Sequence, residues 1–384
     1  HRRELLTQAH DKLSRAGVEA SIYRGKRAPF TPSNVVVASV QTGAPPGFDA
    51  NLLVIDAAHH APAAGYRRLV VQQPNAVVLG ATATPWWQSS RPLDDLFPAT
   101  VRASNVRDLT AAGHLARVRM FTHPHTLRDL DLRGVATAAG DYAVGAVSGR
   151  VDKPALLGDM VEHWRSHARG ARTLAFAASV EHSRHIAQRF NAVGIRAEHL
   201  DGKTPDAERT AILARLASGE TRIVCNYGIL GEGFDAPAVG CVILARPTKR
   251  VGVYLQCAGR GMRPGGGFDD VVVLDHAGSC IAFGLPDEDR TINGPEPRSG
   301  KAAKSRVIRC PLCGMCAPLG TKWCPECSAS LRRPVPMEEP TGVLVEVVAE
   351  VLRGRRKITH DGVTLSVPAW AARIGVSESL IQER

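Results

Sequence analysis

Leu52-Leu-Val-Ile-Asp-Ala-Ala-His-His60 is an apolar run of strand length that ends on a carboxylate. A short, β-branched run bounded by polar residues suits a strand buried on both faces of a parallel sheet. In an open α/β sheet the C-terminal end of such a strand faces the ligand crevice. Asp56 therefore stands where a carboxylate can hold Mg²⁺ through water. Working outward, Val35–Val40 and Ala76–Leu79 are runs of the same kind. Before them, Arg2–Ala16 spaces Leu5, Leu6, Ala9, Leu13 and Ala16 as a helix does, and Gly17 stops it. Leu79-Gly-Ala-Thr-Ala-Thr-Pro85 ends another strand on two hydroxyls, Thr82 and Thr84. Polar tips at neighbouring strand ends are what a phosphate and metal site needs. Either threonine in isolation reads as turn or cap chemistry before Pro85.

A second alternating series begins near Arg172. Strands are predicted at Thr173–Phe176, Arg222–Cys225, Cys241–Leu244 and Val271–Leu274, and helices at Val180–Val193, Asp206–Leu216 and Val253–Gly261. Strands alternating with helices imply a second open α/β domain. Between the two series, Val101–Lys153 reads as a less regular bridge, with Gly134–Gly145 as a flexible insertion. Tyr254-Leu-Gln-Cys-Ala-Gly-Arg-Gly-Met-Arg-Pro264 sets Gln256, Arg260 and Arg263 at i, i+4 and i+7, one face of the predicted helix. Gly259 is expected to admit a close backbone or phosphate, and two guanidiniums on one rim can neutralise charge on a transferring phosphoryl group.

Pro286–Lys304 is polar and reads as a linker. After it, Cys310-x2-Cys313 and Cys324-x2-Cys327 have the spacing of two zinc knuckles; four thiolates fill the metal's coordination, so the Zn²⁺ is expected to be structural. Cys316 reads as a spare small apolar residue. The last segment predicts a helix from about Pro368, a turn at Gly375 and a second helix capped by Ser377. That spacing suits either a helix-turn-helix module or a plain two-helix cap.

Composition bounds these readings. With 44% hydrophobic and 22% charged residues the 384-residue chain is globular and long enough for two or three domains. No apolar stretch is long enough to span a membrane. The net charge is +11, and residues 298–357 hold twelve Lys/Arg against five Asp/Glu, which favours a polyanionic partner. Nine cysteines, five of them within 310–327, point to metal ligands in a reducing, cytoplasmic setting.

Taken together, these motifs resemble the superfamily 2 helicases of the DEAD/DEAH-box type, most closely the phage and bacterial branch related to restriction-enzyme motor subunits. The resemblance runs from His1 to about Leu285. His1–Leu6 is similar to motif Ia, with Val37–Thr42 as the segment after it. Asp56–His59 is similar to motif II, Thr82–Pro85 to motif III, Leu174–Ser179 to motif IV, Gly228–Pro237 to motif V and Gln256–Arg263 to motif VI.

The resemblance implies two RecA-like parallel-sheet domains clasping ATP and Mg²⁺, the first incomplete, then a zinc ribbon and a short helical tail. It implies that Asp56 binds Mg²⁺, that Thr82 and Thr84 couple nucleotide to grip, and that Gly233 and Asp235 meet the nucleotide from the second domain. Gln256, Arg260 and Arg263 would act in catalysis, the arginines as fingers. Arg2, Arg3, Ser39, Gln41, Thr42, Asn226 and Gly228 would hold the phosphates of a nucleic-acid strand, DNA in preference to RNA. A nuclease or replication partner is left open.

The expected divisions are 1–105 for the first domain, 106–153 for the bridge, 154–290 for the second domain, 291–305 for the linker, 306–335 for the ribbon and 340–384 for the tail.

Two departures qualify this. No G-x-x-x-x-G-K-[ST] occurs in the chain, and Asp201-Gly-Lys-Thr204 lacks the earlier glycine. With His1 in place of Met, a fragment is expected, with the phosphate loop upstream. The first domain, short of an interior strand, is expected to fold less well than the second. Ala57 stands where motif II has Glu, removing the general base. The alternative function is a catalytically silent nucleic-acid-binding protein.

Overall fold

The computed structural model describes residues 2–25, 30–86, 93–102, 104–122, 132–231, 238–265, 269–290 and 307–331, and strand backbone at 348–352, 355–360 and 363–366. These fall into two compact units, 1–332 and 333–384.

The first lobe contains α1 (Arg2–Arg15), β1 (Ala20–Tyr23), β2 (Val35–Ala38), β3 (Leu52–Asp56), α2 (Ala64–Val71) and β4 (Val77–Ala81). Its strands form two separate parallel pairs, β1 with β2 and β3 with β4. The β3–β4 register sets Leu52 beside Val77 and Val54 beside Leu79. Side chains alternate across a strand, so these four share one face, and it is open: they are 54%, 69%, 56% and 54% exposed in that order. The expectation that both faces are buried fails here. Ile55, on the opposite face, is buried. Gly80 is required, because a Cβ there would lie 2.6 Å from the Phe97 ring and 2.8 Å from Ala58.

α3 (Val106–Ala111), whose first turn is capped by the Asn105 side chain, leads into β5 (Arg117–Thr122). The bridge expected at 106–153 is therefore not irregular throughout, since β5 is the edge strand of the second lobe's sheet. The 134–145 stretch is anchored. β6 (Thr137–Ala138) and β7 (Asp141–Tyr142) form a hairpin. The buried Asp141 carboxylate accepts from Thr248 Oγ1 and the Lys249 N–H, both at 2.8 Å. Two helices follow, α4 (Val144–Val151) and α5 (Pro154–His163).

The second lobe continues with β8 (Thr173–Ala177), α6 (Val180–Asn191), β9 (Ala197–Leu200), α7 (Asp206–Ser218), β10 (Ile223–Asn226), β11 (Cys241–Ala245), α8 (Val251–Gly259), β12 (Asp270–Asp275) and α9 (Ser279–Phe283). Its six strands are all parallel, in the order β5-β12-β11-β8-β10-β9. The period of two divides the core. Leu174, Phe176, Val224, Val242 and Val273 pack in one cluster with Leu216 and Tyr254, while Ala175, Cys225, Ile243 and Leu274 pack in the other with Ile186 and Phe190. Here both sheet faces are covered, as the β-branched runs predict. Among the described residues no helix is long and apolar enough to cross a membrane.

Next to this sheet, His182 near the start of α6 is fully buried, and its Nδ1 accepts from the Ala178 N–H at 3.3 Å. Burial pushes the imidazole down to about 4, outweighing the pull of Asp152, and nearby His185 adds to the depression. The unfolded chain takes up this proton near pH ~6.5, the folded lobe only near 4. Stability is therefore expected to fall as pH drops through that window, by about 3 kcal/mol in full. His182→Asn, which keeps an acceptor near Nδ1, should remove this part of the pH dependence. Urea midpoints at neutral and acidic pH compare the two, and an equal loss in both would contradict the assignment.

The ribbon pairs β13 (Val307–Arg309) with β14 (Cys316–Pro318) in antiparallel register. It is fastened to β5. The Thr122 N–H donates to the Gly314 carbonyl at 3.0 Å, Phe121 bridges Met315, and Arg119 grips Glu326 through both carboxylate oxygens. Gly314, with φ 73°, permits the contact, since a Cβ would sit 2.9 Å from the Thr122 carbonyl oxygen. Val307 and Cys316 belong to one core cluster of the lobe, and Met315, Ala317 and Leu331 to the other. The expected linker starts tied down: Arg290 donates to the carbonyls of Phe283 and Leu285 at 3.0 and 2.7 Å, and Arg102 pairs with Asp289. Residues 291–306 lie outside the described residues.

In the second unit, β15 (Val348–Leu352), β16 (Arg355–His360) and β17 (Val363–Ser366) form an antiparallel meander. The segment 340–384, expected to be helical, thus contains a sheet. The predicted helices from Pro368 onward lie outside the described residues.

Candidate functional site

Asp56 ends β3, and its exposed carboxylate accepts the Ala57 N–H at 2.9 Å. Ala57 takes the left-handed conformation, φ 53° and ψ 49°, which turns the chain sharply at the strand end. The single helical turn Ala58–His60 then sends His59 inward, to 4% exposure. Its Nδ1 lies 2.8 Å from Thr82 Oγ1 and 3.4 Å from Thr84 Oγ1. The Thr84 N–H donates to Thr82 Oγ1 at 3.1 Å. From the second lobe, Gln256 Nε2 on α8 reaches Thr84 Oγ1 at 3.5 Å. The two threonines are thereby joined through His59 and to each other, and Thr84 directly to the glutamine, just past the strand end that carries Asp56. Just beyond Pro85, Trp86 is buried in the cluster that holds Phe176, Val242, Tyr254 and Met262 of the second lobe. Composition and spacing offered no signal for Trp86.

The arginines differ from the expected helical face. α8 ends at Gly259, so Arg260 is its C-cap and Arg263 lies past the helix. Arg260 Nε and Nη2 both donate to the Gly231 carbonyl, at 3.0 and 2.7 Å. Gly233 and Asp235, expected to meet the nucleotide, lie outside the described residues. Within the protein the glycine that admits a close neighbour is Gly261, and among the described residues no backbone approaches Gly259. A Cβ on Gly261 would come within 2.4 Å of Val271 and 2.8 Å of Val242, whereas one on Gly259 would meet nothing within 4 Å.

The residues expected to hold phosphates divide. Ser39 Oγ and Thr42 Oγ1 are 2.7 Å apart in a turn closed by the Thr42 N–H on the Ser39 carbonyl, and Gln41 is exposed. Gly228 is exposed with φ 74°. Arg2 and Arg3 lie on α1, but their side chains are outside the described set. Asn226 is a correction. It is 1% exposed, donates to the Ala175 carbonyl at 3.0 Å and accepts the Leu230 N–H at 3.3 Å. Its amide shapes the loop after β10 and is spent inward, out of reach of a phosphate.

The four knuckle thiols do converge. All Sγ atoms lie within 4.8 Å of one another, with Cys310–Cys327 and Cys313–Cys324 each at 3.6 Å. Sulfurs around tetrahedral zinc are about 3.8 Å apart, given Zn–S bonds of ~2.3 Å. The donor set fits Zn²⁺ with no position left for water. Burial raises the Cys310 thiol, but the N–H groups of Cys313 and Leu312 outweigh it and bring it down to about 7. Cys316 stands apart, its Sγ 3.5 Å from that of Cys280.

Comparison with known proteins accords with these arrangements. Residues 152–265 match the family of the helicase conserved C-terminal domain, and residues 1–86 the type III restriction enzyme res subunit. A "51.5 kDa protein" of a Lactococcus phage is 30% identical over 280 residues, 72% of this chain and 61% of its own. The "Putative ATP-dependent helicase IRC3" of Saccharomyces cerevisiae is 28% identical over 333 residues, 80% of this chain and 48% of its own. Among solved structures, "The fragment structure of a putative HsdR subunit of a type I restriction enzyme from Vibrio vulnificus YJ016" aligns with TM-score 0.55 at 19% identity, over 75% of this chain and 56% of that one. The chain thus spans roughly half to three-fifths of the length of the relatives it matches.

Proposed function

Because the chain belongs to the superfamily 2 helicases, on the branch related to restriction-enzyme motor subunits, we propose that it works as an ATP-dependent DNA translocase or helicase. Its two lobes would close on nucleotide and change their hold on one strand. The observation that carries this reading is the link from His59 through Thr82 and Thr84 to Gln256, which spans the two lobes beside Asp56. A nucleotide that moved Asp56 or α8 would be felt in the other lobe through those few bonds. Asp56 would hold Mg²⁺. The Arg260 and Arg263 guanidiniums would meet charge on the transferring phosphoryl group. The turn at Ser39–Thr42 and the exposed backbone at Gly228 would take the strand's phosphates. The restriction-type match over residues 1–86 favours DNA.

The test is ATP turnover with and without single-stranded DNA, in a chain extended to supply a glycine-rich phosphate loop. Stimulation by the strand is the expected result. Gln256→Ala removes one hydrogen bond between the lobes, worth about 0.5–1.5 kcal/mol, and should reduce that stimulation about 2- to 10-fold while leaving strand binding without nucleotide intact. Stimulation that is unaffected by the substitution would show that coupling runs elsewhere. Ala57 favours a second reading, a nucleic-acid-binding protein that keeps the fold without turnover. In that case strand binding would persist and stimulation would be absent.

A further inference from the structure

The ribbon exposes three large apolar side chains, Leu312 at 79%, Leu319 at 66% and Trp323 at 61%. A single apolar residue on a surface is ordinary. Trp323 differs in how firmly it is held. It precedes the metal ligand Cys324 and forms a backbone bridge with Ser330. On either side of it, the Leu331 N–H donates to the Lys322 carbonyl at 2.9 Å and the Cys324 N–H to the Ala329 carbonyl at 2.7 Å. The preceding turn is closed by the N–H and hydroxyl of Thr321 on the Pro318 carbonyl, at 3.1 and 2.7 Å. Leu319 and Trp323 therefore bracket a tight loop on a ribbon that is itself fastened to β5.

Charge indicates what this loop meets. The described ribbon, residues 307–331, carries Arg309, Lys322 and Glu326. Glu326 is taken by Arg119. Among the described residues neither Arg309 nor Lys322 has an acidic partner, and the wider segment 298–357 has twelve Lys/Arg against five Asp/Glu. An exposed indole on a firmly held backbone, next to a lysine with no acidic partner among the described residues, is the chemistry of a stacking platform. The ring takes the face of any base, and the lysine neutralises a phosphate. A base paired within a duplex has its faces covered, so such a platform selects single strands.

We propose that Trp323 stacks on an unpaired base of single-stranded nucleic acid, with Lys322 meeting an adjacent phosphate. This rests on the reading of the chain as a strand-binding motor, but it requires no nucleotide.

The test is fluorescence anisotropy of the full chain, nucleotide-free and zinc-loaded, with labelled oligothymidylate and with a labelled duplex. Trp323→Ala should weaken oligothymidylate binding about 5- to 100-fold, the range of one lost base stack. Trp323→Phe should recover most of it, and duplex binding should stay nearly unchanged. Zinc content and melting temperature of each variant report that the ribbon is intact. Two results would overturn the proposal. Undiminished single-strand affinity in zinc-loaded Trp323→Ala would leave the apolar side chains to a protein partner, and an equal loss on both ligands would reduce the ribbon to an electrostatic contact. Strand-stimulated ATP turnover, measured separately, tells failure of this proposal from failure of the motor assignment.

Discussion

Ala57→Glu is expected to raise ATP turnover by about 10²–10⁴-fold, the usual contribution of general-base assistance. Ala57 follows Asp56 directly at the end of β3, so a carboxylate there would lie beside the residue assigned to Mg²⁺. Its left-handed conformation, φ 53°, is already strained for a residue with a Cβ, and Glu brings no further backbone penalty of the kind a β-branched residue would. The fold should therefore tolerate the change. Single-turnover hydrolysis, measured with ATP in a chain supplied with a phosphate loop, reads the chemical step. Ala57→Gln is the control, since it adds the bulk without the base and should stay near the Ala57 rate. A chain that already turns over with Ala57 and is not accelerated by Glu must take its base from another group, and the silent reading would then be lost.

Stripping the metal that the four ribbon thiols would hold should destabilise the second lobe as well as the ribbon. The ribbon contributes Val307, Met315, Cys316, Ala317 and Leu331 to the two core clusters of that lobe and covers the edge strand β5. Two or three buried apolar side chains at ~1.5 kcal/mol each give a loss of about 3–5 kcal/mol. At ~2–4 °C per kcal/mol for a unit of this size, the melting midpoint should fall by about 10 °C. Chelation and the double substitution Cys310→Ser, Cys313→Ser should agree. Hydrogen exchange across Arg117–Thr122 should accelerate, because the Thr122 N–H loses its acceptor at Gly314. An unchanged midpoint with the metal stripped would mean that the ribbon is an independent appendage.

The second lobe was legible where local pattern and burial agree. Thr173–Ala177 and Cys241–Ala245 are short apolar runs because both sheet faces are covered, and their ends were foreseen to within a residue or two. β5 was missed. Arg117-Val-Arg-Met-Phe-Thr122 mixes charge with apolar residues because it lies at the edge, where Arg117 pairs with Asp270 and Arg119 with Glu326. Its sheet partner is also more than a hundred residues away along the chain. In the first lobe the same kind of run misled, since Leu52 and Val54 look like core residues and their side chains face outward. At the site, Asp56, Thr82, Thr84 and Gln256 were identified from their motifs, and the structure joins the last three through His59 or directly. Asn226 had the right position in its motif and the wrong orientation.

What sequence alone determined is what a few consecutive residues can decide: which runs are strands, which spacing makes a zinc knuckle, and which strand end carries a carboxylate. Each of these follows from backbone geometry and the chemistry of neighbouring side chains. Tertiary structure alone decided that β5 and the ribbon belong to the second lobe, that Trp86 anchors the first lobe's last strand end in the other's core, and that Asn226 turns inward. Those outcomes depend on which surface lies opposite, and packing between distant segments leaves no periodic trace in either of them.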